Sequence, residues 1–289
     1  MNHRQKQNSW HSACLLAMAA LFSMAPIQGA WAQTAPSLGT ASNFAVLSAA
    51  SGGGGAVTCT DSTITGDVGS SGLPASVVQT GCAITGAVIA PVSAQVLTEF
   101  NNAYDALAGQ SCDSFLTGTL AGVTLSPGVY CFAAAAAPTG TLTLLGGSTD
   151  TWLFKIGTSG TGALTGTDFS VFLANGASAC NVTWWVAEAA TMTTSNFLGT
   201  ILAGAAITDS GGTFEGRALA KAAVTLTGAA FVGCEGGSLG GTAKPKCNQG
   251  VGNGPESCDP GNSNQGNPFR SNDELGGVPG DSGRMGGNR

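Results

Sequence analysis

The feature that most constrains this chain is a short repeat in its C-terminal half. In NVTWWVAEAATMTTSNFLGTILAGAAITDSGGTFEGRALAKAAVTLTGAAFVGC, residues 181–234, Phe197, Phe214 and Phe231 recur at intervals of 17 residues. Ile201 in GTILAG and Ala218 in GRALAK are also 17 apart. Met192, Ile207 and Val224 form a third set, each followed by threonine. One period thus holds three short apolar runs separated by Gly, Asn, Asp or Ser. That is too short for a helical hairpin repeat but suits one turn of a three-sided parallel β-solenoid, in which each turn buries its apolar side chains only by stacking on the next. TWLFKIG at 151–157 resembles VTWWVAE at 182–188, so the repeat extends backwards.

Composition agrees with a β-rich chain turning often. Hydrophobic residues make up 43% and charged residues only 9% of 289, with 45 glycines, which allows a folded core and favours tight turns over helices. Phe44-Ala45-Val46-Leu47, TCTDSTITGDVG and AITGAVIA read as short strands between glycines, as do LSPGVYCF, TLTLLGG, GALTGTD and FSVFLANG further on. Ala133–Ala137 has high helix propensity, but its place between a strand and Pro138-Thr139-Gly140 makes it solenoid wall. One segment breaks the pattern: Val92, Val96, Phe100, Ala103 and Leu107 recur at helical spacing, with Pro91 suited to the start and Gly109 to the end. This helix must bury its apolar face along one side of the solenoid.

The two ends differ from this middle. Residues 1–32 read as a secretory signal: Arg4 and Lys6, then ACLLAMAALFSMAPI, then Ala30-Trp31-Ala32 as a small-x-small cleavage site. No other run is apolar enough to span a bilayer, so no membrane insertion is expected once the signal is removed. Residues 33–234 form the predicted solenoid domain. Residues 235–289 are rich in Gly, Asn, Pro and Asp and carry too little apolar surface to fold alone, so they read as a flexible tail. Of nine cysteines, Cys14 falls in the signal. The remaining eight, Cys59, Cys82, Cys112, Cys131, Cys180, Cys234, Cys247 and Cys258, suggest disulfides in an exported protein. Connectivity does not follow from sequence; pairing of neighbours is the expectation.

Several functions are disfavoured. Both histidines, His3 and His11, lie in the signal, which removes Ser-His-Asp triads, Cys-His pairs and histidine metal sites from the mature chain. Between residues 33 and 233 the only basic residues are Lys155, Arg217 and Lys221, and the acids are scattered, so neither lyase chemistry nor a paired-carboxylate glycosidase is supported. No P-loop is present, and a formal net charge of −6 is no nucleic-acid footprint. No enzyme activity, cofactor or metal is expected.

What remains is a surface. Alternate strand residues face out. If Met192, Ile207, Val224 and Leu226 point inward, Thr191, Thr193, Thr208, Thr225 and Thr227 point outward, and Thr165 and Thr167 extend the row. Stacked turns lie roughly 4.7–4.9 Å apart and i, i+2 positions roughly 6.6–6.8 Å apart, giving a stiff grid of hydroxyls and methyls. Such a grid can order water into an ice-like layer. Threonine is equally a good exposed strand residue, so the pattern alone leaves both readings open.

LGTASNFAVLSA, STITGDVGSS, AQVLTEFNNAYDALAG, LSPGVYCF, TWLFKIG, NGASACNVTWWV, FLGTILA and TFEGRALAKAAVTLTG, in this order, resemble the secreted ice-binding proteins of the DUF3494 type, over about Leu38–Cys234. The resemblance implies a mainly β fold: a right-handed, discontinuous parallel β-solenoid of triangular cross-section with one long helix alongside, both ends of the chain contributing turns. It implies a secreted, extracellular and monomeric protein, released or held at the cell surface, whose partner is an ice crystal surface. Adsorption through one flat face would inhibit ice growth and recrystallisation. Thr225 falls at the centre of that face, with Thr208 and Thr191 on neighbouring strands. Asp209-Ser210-Gly211-Gly212 stands where the family has a more regular Thr/Asn-rich turn, and Ala133–Ala137 where Ser and Thr are common. Competing readings are a structural or adhesive cell-surface solenoid, and a carbohydrate-binding module using Trp152, Trp184 and Trp185, which look like core.

Overall fold

In the computed structural model, which describes residues 36–234, every named strand pairing is parallel. In chain order the strands are β1 (Phe44–Ser48), β2 (Val57–Thr60), β3 (Thr63–Thr65), β4 (Asp67–Ser70), β5 (Val77–Thr80), β6 (Ala83–Ile84) and β7 (Val88–Ile89). Helix α1 (Ala94–Ala108) follows. Then come β8 (Ser114–Phe115), β9 (Thr124–Leu125), β10 (Gly128–Phe132), β11 (Gly140–Leu145), β12 (Trp152–Ile156), β13 (Leu164–Thr167), β14 (Phe169–Ala174), β15 (Val182–Val186), β16 (Ala190–Ala203), β17 (Ile207–Ala220) and β18 (Val224–Gly233). The long strands β16, β17 and β18 bend at corners, so each serves more than one side of a three-sided stack.

The 17-residue period is the rung. Phe197 lies over Phe214 and Phe214 over Phe231, Ile201 over Ala218, and Ile207 over Val224. The three phenylalanines are buried and stack at centroid separations of 4.9 and 4.4 Å. The third set in the sequence is corrected by this register. Met192 pairs with Asp209, and Asp209 with Leu226, whereas the rung partner of Ile207 is Ala190. Threonine after each of the three had aligned two different inward columns.

The rungs are not stacked in chain order. β1 pairs with the last part of β17, while β18 pairs with β2 and β3. β1 therefore completes the rung of β18, β2–β7 are added beyond it, and α1 carries the chain back to the start of β8. At about 22 Å, α1 reaches along several rungs. It lies against outward side chains of one side, including Leu47, Leu219, Leu202, Trp185 and Leu153. Its own buried residues are Val96, Phe100, Ala103, Tyr104 and Leu107, the helical stripe read from sequence, extended by Tyr104. The helix begins later than Pro91 suggested. Ser93 is the N-cap and accepts a hydrogen bond from the Val96 amide, because its hydroxyl can satisfy a first-turn donor that proline cannot. Gly109 follows the last turn, and the Lys155 ammonium donates to the Ala108 carbonyl at 2.8 Å and also to that of Gln110.

A second core fills the interior of the stack. It includes Phe154 and Trp184, whose rings stack 4.0 Å apart, together with Trp152 and Met192. All three tryptophans named above are buried. The corners explain the glycines. After the strand pieces that end at Thr60, Thr167, Thr193, Ser210 and Thr227 come Asp61, Asp168, Thr194, Gly211 and Gly228, all with positive φ between 46° and 75°. This column turns the chain onto the next side, and glycine adopts that backbone without the steric cost borne by the other three. At the following corner Gly216 packs so closely that a Cβ would lie 1.9 Å from the Gly199 carbonyl oxygen.

Among the described residues, three disulfides join neighbouring cysteines: Cys59–Cys82, Cys112–Cys131 and Cys180–Cys234. The polyalanine run is wall at one point, where Ala136 bridges to Leu164. The signal read at 1–32, the tail at 235–289 and the cysteines Cys247 and Cys258 lie outside the described residues. Among the described residues, no helix is long and apolar enough to cross a membrane.

Candidate functional site

One side of the stack is built from β13, the first parts of β16, β17 and β18, then β2 and β5. Its inward residues Leu164, Ala190, Ile207, Val224 and Val57 are all buried, which fixes the facing of everything between them. The outward residues fall into two straight columns. The first is Thr165, Thr191, Thr208, Thr225, Thr58 and Val78; the second is Thr167, Thr193, Ser210, Thr227, Thr60 and Thr80. Strand geometry sets the grid: six rungs at about 4.8 Å span about 24 Å, and the columns lie about 6.7 Å apart.

All seven threonines singled out from sequence therefore lie on one face, in register. The structure adds Ser210 to the second column, and Thr58, Thr60 and Thr80 from the N-terminal segment. These were missed because β2 and β5 precede the repeat by more than a hundred residues. A signal was present: AVTCT at 56–60 matches AVTLT at 223–227, and both fit Ala-x-Thr-x-Thr, as does AATMT at 189–193. Alanine precedes each of these strands, at 163, 189, 206, 223 and 56, so a line of small side chains borders the threonine columns. Backbone bonds continue the ladder to this border, for example Ala190 N–H to the Ala206 carbonyl and Val224 N–H to that of Ala56.

The two columns are uncharged, and the first ends in an exposed Val78. No Asp, Glu, Lys or Arg occupies either column. Thr58, Thr191, Thr208 and Thr225 are half-buried by neighbouring rungs, while Thr165, Thr167 and Thr227 are exposed. Two aspartates, Asp61 and Asp168, stand at the corner; the Thr194 hydroxyl donates to Asp168. Hydroxyls also tie the rungs at this corner. Ser195 Oγ accepts from the Phe169 amide and donates to the Thr193 carbonyl, and Ser62 Oγ accepts from the Ala229 amide and donates to the Thr60 carbonyl. These bonds hold the outer threonine column against lateral displacement.

The other two sides lack this regularity. The side carrying the phenylalanine stack presents Ser170, Asn196, Thr213, Ala230 and Thr63 in one column, and Leu198, Glu215, Val232 and Thr65 in the next. Phe172 and Val232 protrude from it, 58% and 48% exposed. The third side is covered by α1.

The DSGG composition predicts a turn at Asp209. It is the inward residue of β17 between Thr208 and Ser210, in a column whose neighbours are Met192 and Leu226. It is 2% exposed, its Oδ2 has no hydrogen-bond partner, and burial pushes its pKa up to about 7, partly offset by the Ser210 amide. The DSGG composition that suggests a turn marks only the corner at Gly211. Among the described residues, no group of three or more His, Cys, Asp or Glu is placed to hold a metal ion.

The family model for Ice-binding-like proteins matches residues 39–232. The chain belongs to this family. Ice-binding protein K3-B1 of Typhula ishikariensis is 34% identical over 223 residues, covering 68% of this chain and 88% of that protein. Two solved structures share the fold. An ice-binding protein from an Antarctic biological consortium gives a TM-score of 0.61 at 33% identity, covering 70% of this chain and 92% of the other. One from the Antarctic ascomycete Antarctomyces psychrotrophicus gives 0.60 at 32%, covering 69% and 98%. The family match spans both the C-terminal rungs and the N-terminal segment, and so the whole threonine face.

Proposed function

We propose that this chain is a secreted, non-enzymatic, monomeric ice-binding protein that adsorbs to ice through the threonine face and restrains ice growth and recrystallisation. The observation that carries this reading is the two-column array of threonines on a flat, uncharged side, in a family whose members are named for ice binding. Each hydroxyl can hold one water in place, and each methyl restricts how that water orients. The parallel ladder repeats the arrangement at fixed intervals. No single contact needs to be strong, since a rigid array binds a repeating surface at many points without further ordering. Export is supported by the leader composition of residues 1–32 and by three disulfides, which persist in oxidising compartments. The test is to grow single ice crystals in dilute purified protein and to repeat this with Thr225→Tyr. The native protein is expected to facet the crystals and suppress recrystallisation, and the variant to lose most of that effect while keeping its melting temperature. Unshaped crystals with the native protein overturn the reading.

A further inference from the structure

Asp209 is the one acidic side chain in the interior of the stack among the described residues, and it lies beneath the third rung of the grid. We propose that Asp209 is a proton-sensitive element of the ice-binding face, which is ordered while the carboxyl is protonated and loosened at its centre once it ionises. The proposal rests on the ice-binding reading above.

Beyond the Ser210 amide, the geometry gives the carboxylate no group to take its charge, and its Oδ2 has no hydrogen-bond partner. The residues paired with it on β16 and β18 are Met192 and Leu226, and the interior cluster around them is apolar. Cys59, further along the same inward column, is held in a disulfide and does not titrate. Among the described residues, the two buried cations are engaged at the outer side of the wall: Lys155 donates to the Ala108 and Gln110 carbonyls, and Arg217 donates to those of Ser42 and Cys234. Glu188 and Glu215 are exposed, and Lys221 pairs with Asp105 at 3.6 Å. A neutral carboxyl can stay in such an interior, whereas an ionised one is driven toward water. The shortest way out is through the wall formed by its own strand. Because Thr208 and Ser210 flank it in sequence, any outward movement of Asp209 disturbs both grid columns at once.

The direction of the pH effect follows. In the folded chain this carboxyl keeps its proton to about pH 7, whereas its ordinary value is 3.8. The folded state thus binds the extra proton between these values, and the stability tied to Asp209 falls as pH rises through that window, levelling above it. Glu99 acts oppositely and at lower pH. Hydrogen bonds from the Thr40 hydroxyl, the Gln95 amide and the Thr40 backbone hold it below its usual range, so its contribution is lost only in acid.

The test compares the native chain with Asp209→Asn and Asp209→Leu from pH 5 to pH 9, reading both melting temperature and thermal hysteresis. The native melting temperature is expected to fall between pH 5 and pH 8, with a several-fold loss of hysteresis, while Asp209→Leu stays flat in both. Asp209→Asn removes the charge but keeps a polar group, and should also be flat. A native melting profile as flat as those of the variants, or variants that decline in parallel with it, overturns the proposal. A native melting temperature that falls with pH while hysteresis holds constant overturns the link to the face. Absence of ice activity at every pH, with the melting profiles as expected, overturns the ice-binding reading and the link with it.

Discussion

The Cys180–Cys234 disulfide closes the longest loop of the three, with a sequence separation of 54, against 23 for Cys59–Cys82 and 19 for Cys112–Cys131. It joins the chain just before β15 to the end of β18, so it staples several rungs at once. A cross-link limits the unfolded chain by an entropy that grows with the logarithm of loop length. For a separation of 54 this is roughly 14 cal/mol/K, or about 4 kcal/mol at 25 °C. The same relation gives about 3.5 kcal/mol for Cys59–Cys82 and about 3.3 kcal/mol for Cys112–Cys131. Replacing Cys180 and Cys234 together by alanine removes the bond but keeps the Cys234 carbonyl, which accepts from Arg217. For a domain of this size a loss of about 4 kcal/mol lowers the melting temperature by roughly 8–16 °C. Urea titration of the three paired-alanine variants is the assay, with the Cys180/Cys234 pair expected to lose most. A loss below about 1 kcal/mol for that pair, or a larger loss for either shorter loop, refutes the chain-entropy reasoning.

Two further changes probe the interior. Phe214→Ala empties the middle of the buried ring stack and is expected to cost about 3–5 kcal/mol in denaturant titration, whereas Phe172→Ala, on an exposed ring, should cost little. Asp209→Leu replaces the lone carboxyl with the residue type found one rung away at Leu226; moving its pKa from 3.8 to about 7 corresponds to about 4 kcal/mol, so at pH 8 the variant should be more stable by up to that amount, with little gain near pH 4.

The solenoid and most of the threonine face were legible because both depend on local repetition. A period of 17 aligns Phe197 with Phe214 and Thr208 with Thr225 with no knowledge of the fold. Where neighbours in space are distant in sequence, the pattern fell silent. Thr58 and Thr60 complete the columns only because β2 pairs with β18, a contact no periodicity announces, although AVTCT and AVTLT are nearly the same word. The set Met192, Ile207, Val224 failed for another reason. Two inward residues alternate with two outward hydroxyl residues on each of these strands, so a match to the residue that follows leaves a slip of two residues open, and only the ladder closes it. Asp209 was hidden by its company: Asp, Ser and two glycines resemble a turn, yet the strand runs through all four, with the inward column passing through residue 209 and the bend at Gly211.

The central claim is that a single face, assembled from both ends of the chain, meets ice. Thermal hysteresis measured on Thr58→Tyr, Thr225→Tyr and Thr213→Tyr tests it most directly. Thr58 and Thr225 are adjacent in one column, 167 residues apart in sequence, while Thr213 lies on the side with the phenylalanine stack. The expected result is that Thr58→Tyr and Thr225→Tyr lose activity to a similar degree and Thr213→Tyr keeps it, with all three folded. Full activity in Thr58→Tyr, or a loss in Thr213→Tyr as large as in Thr225→Tyr, contradicts it.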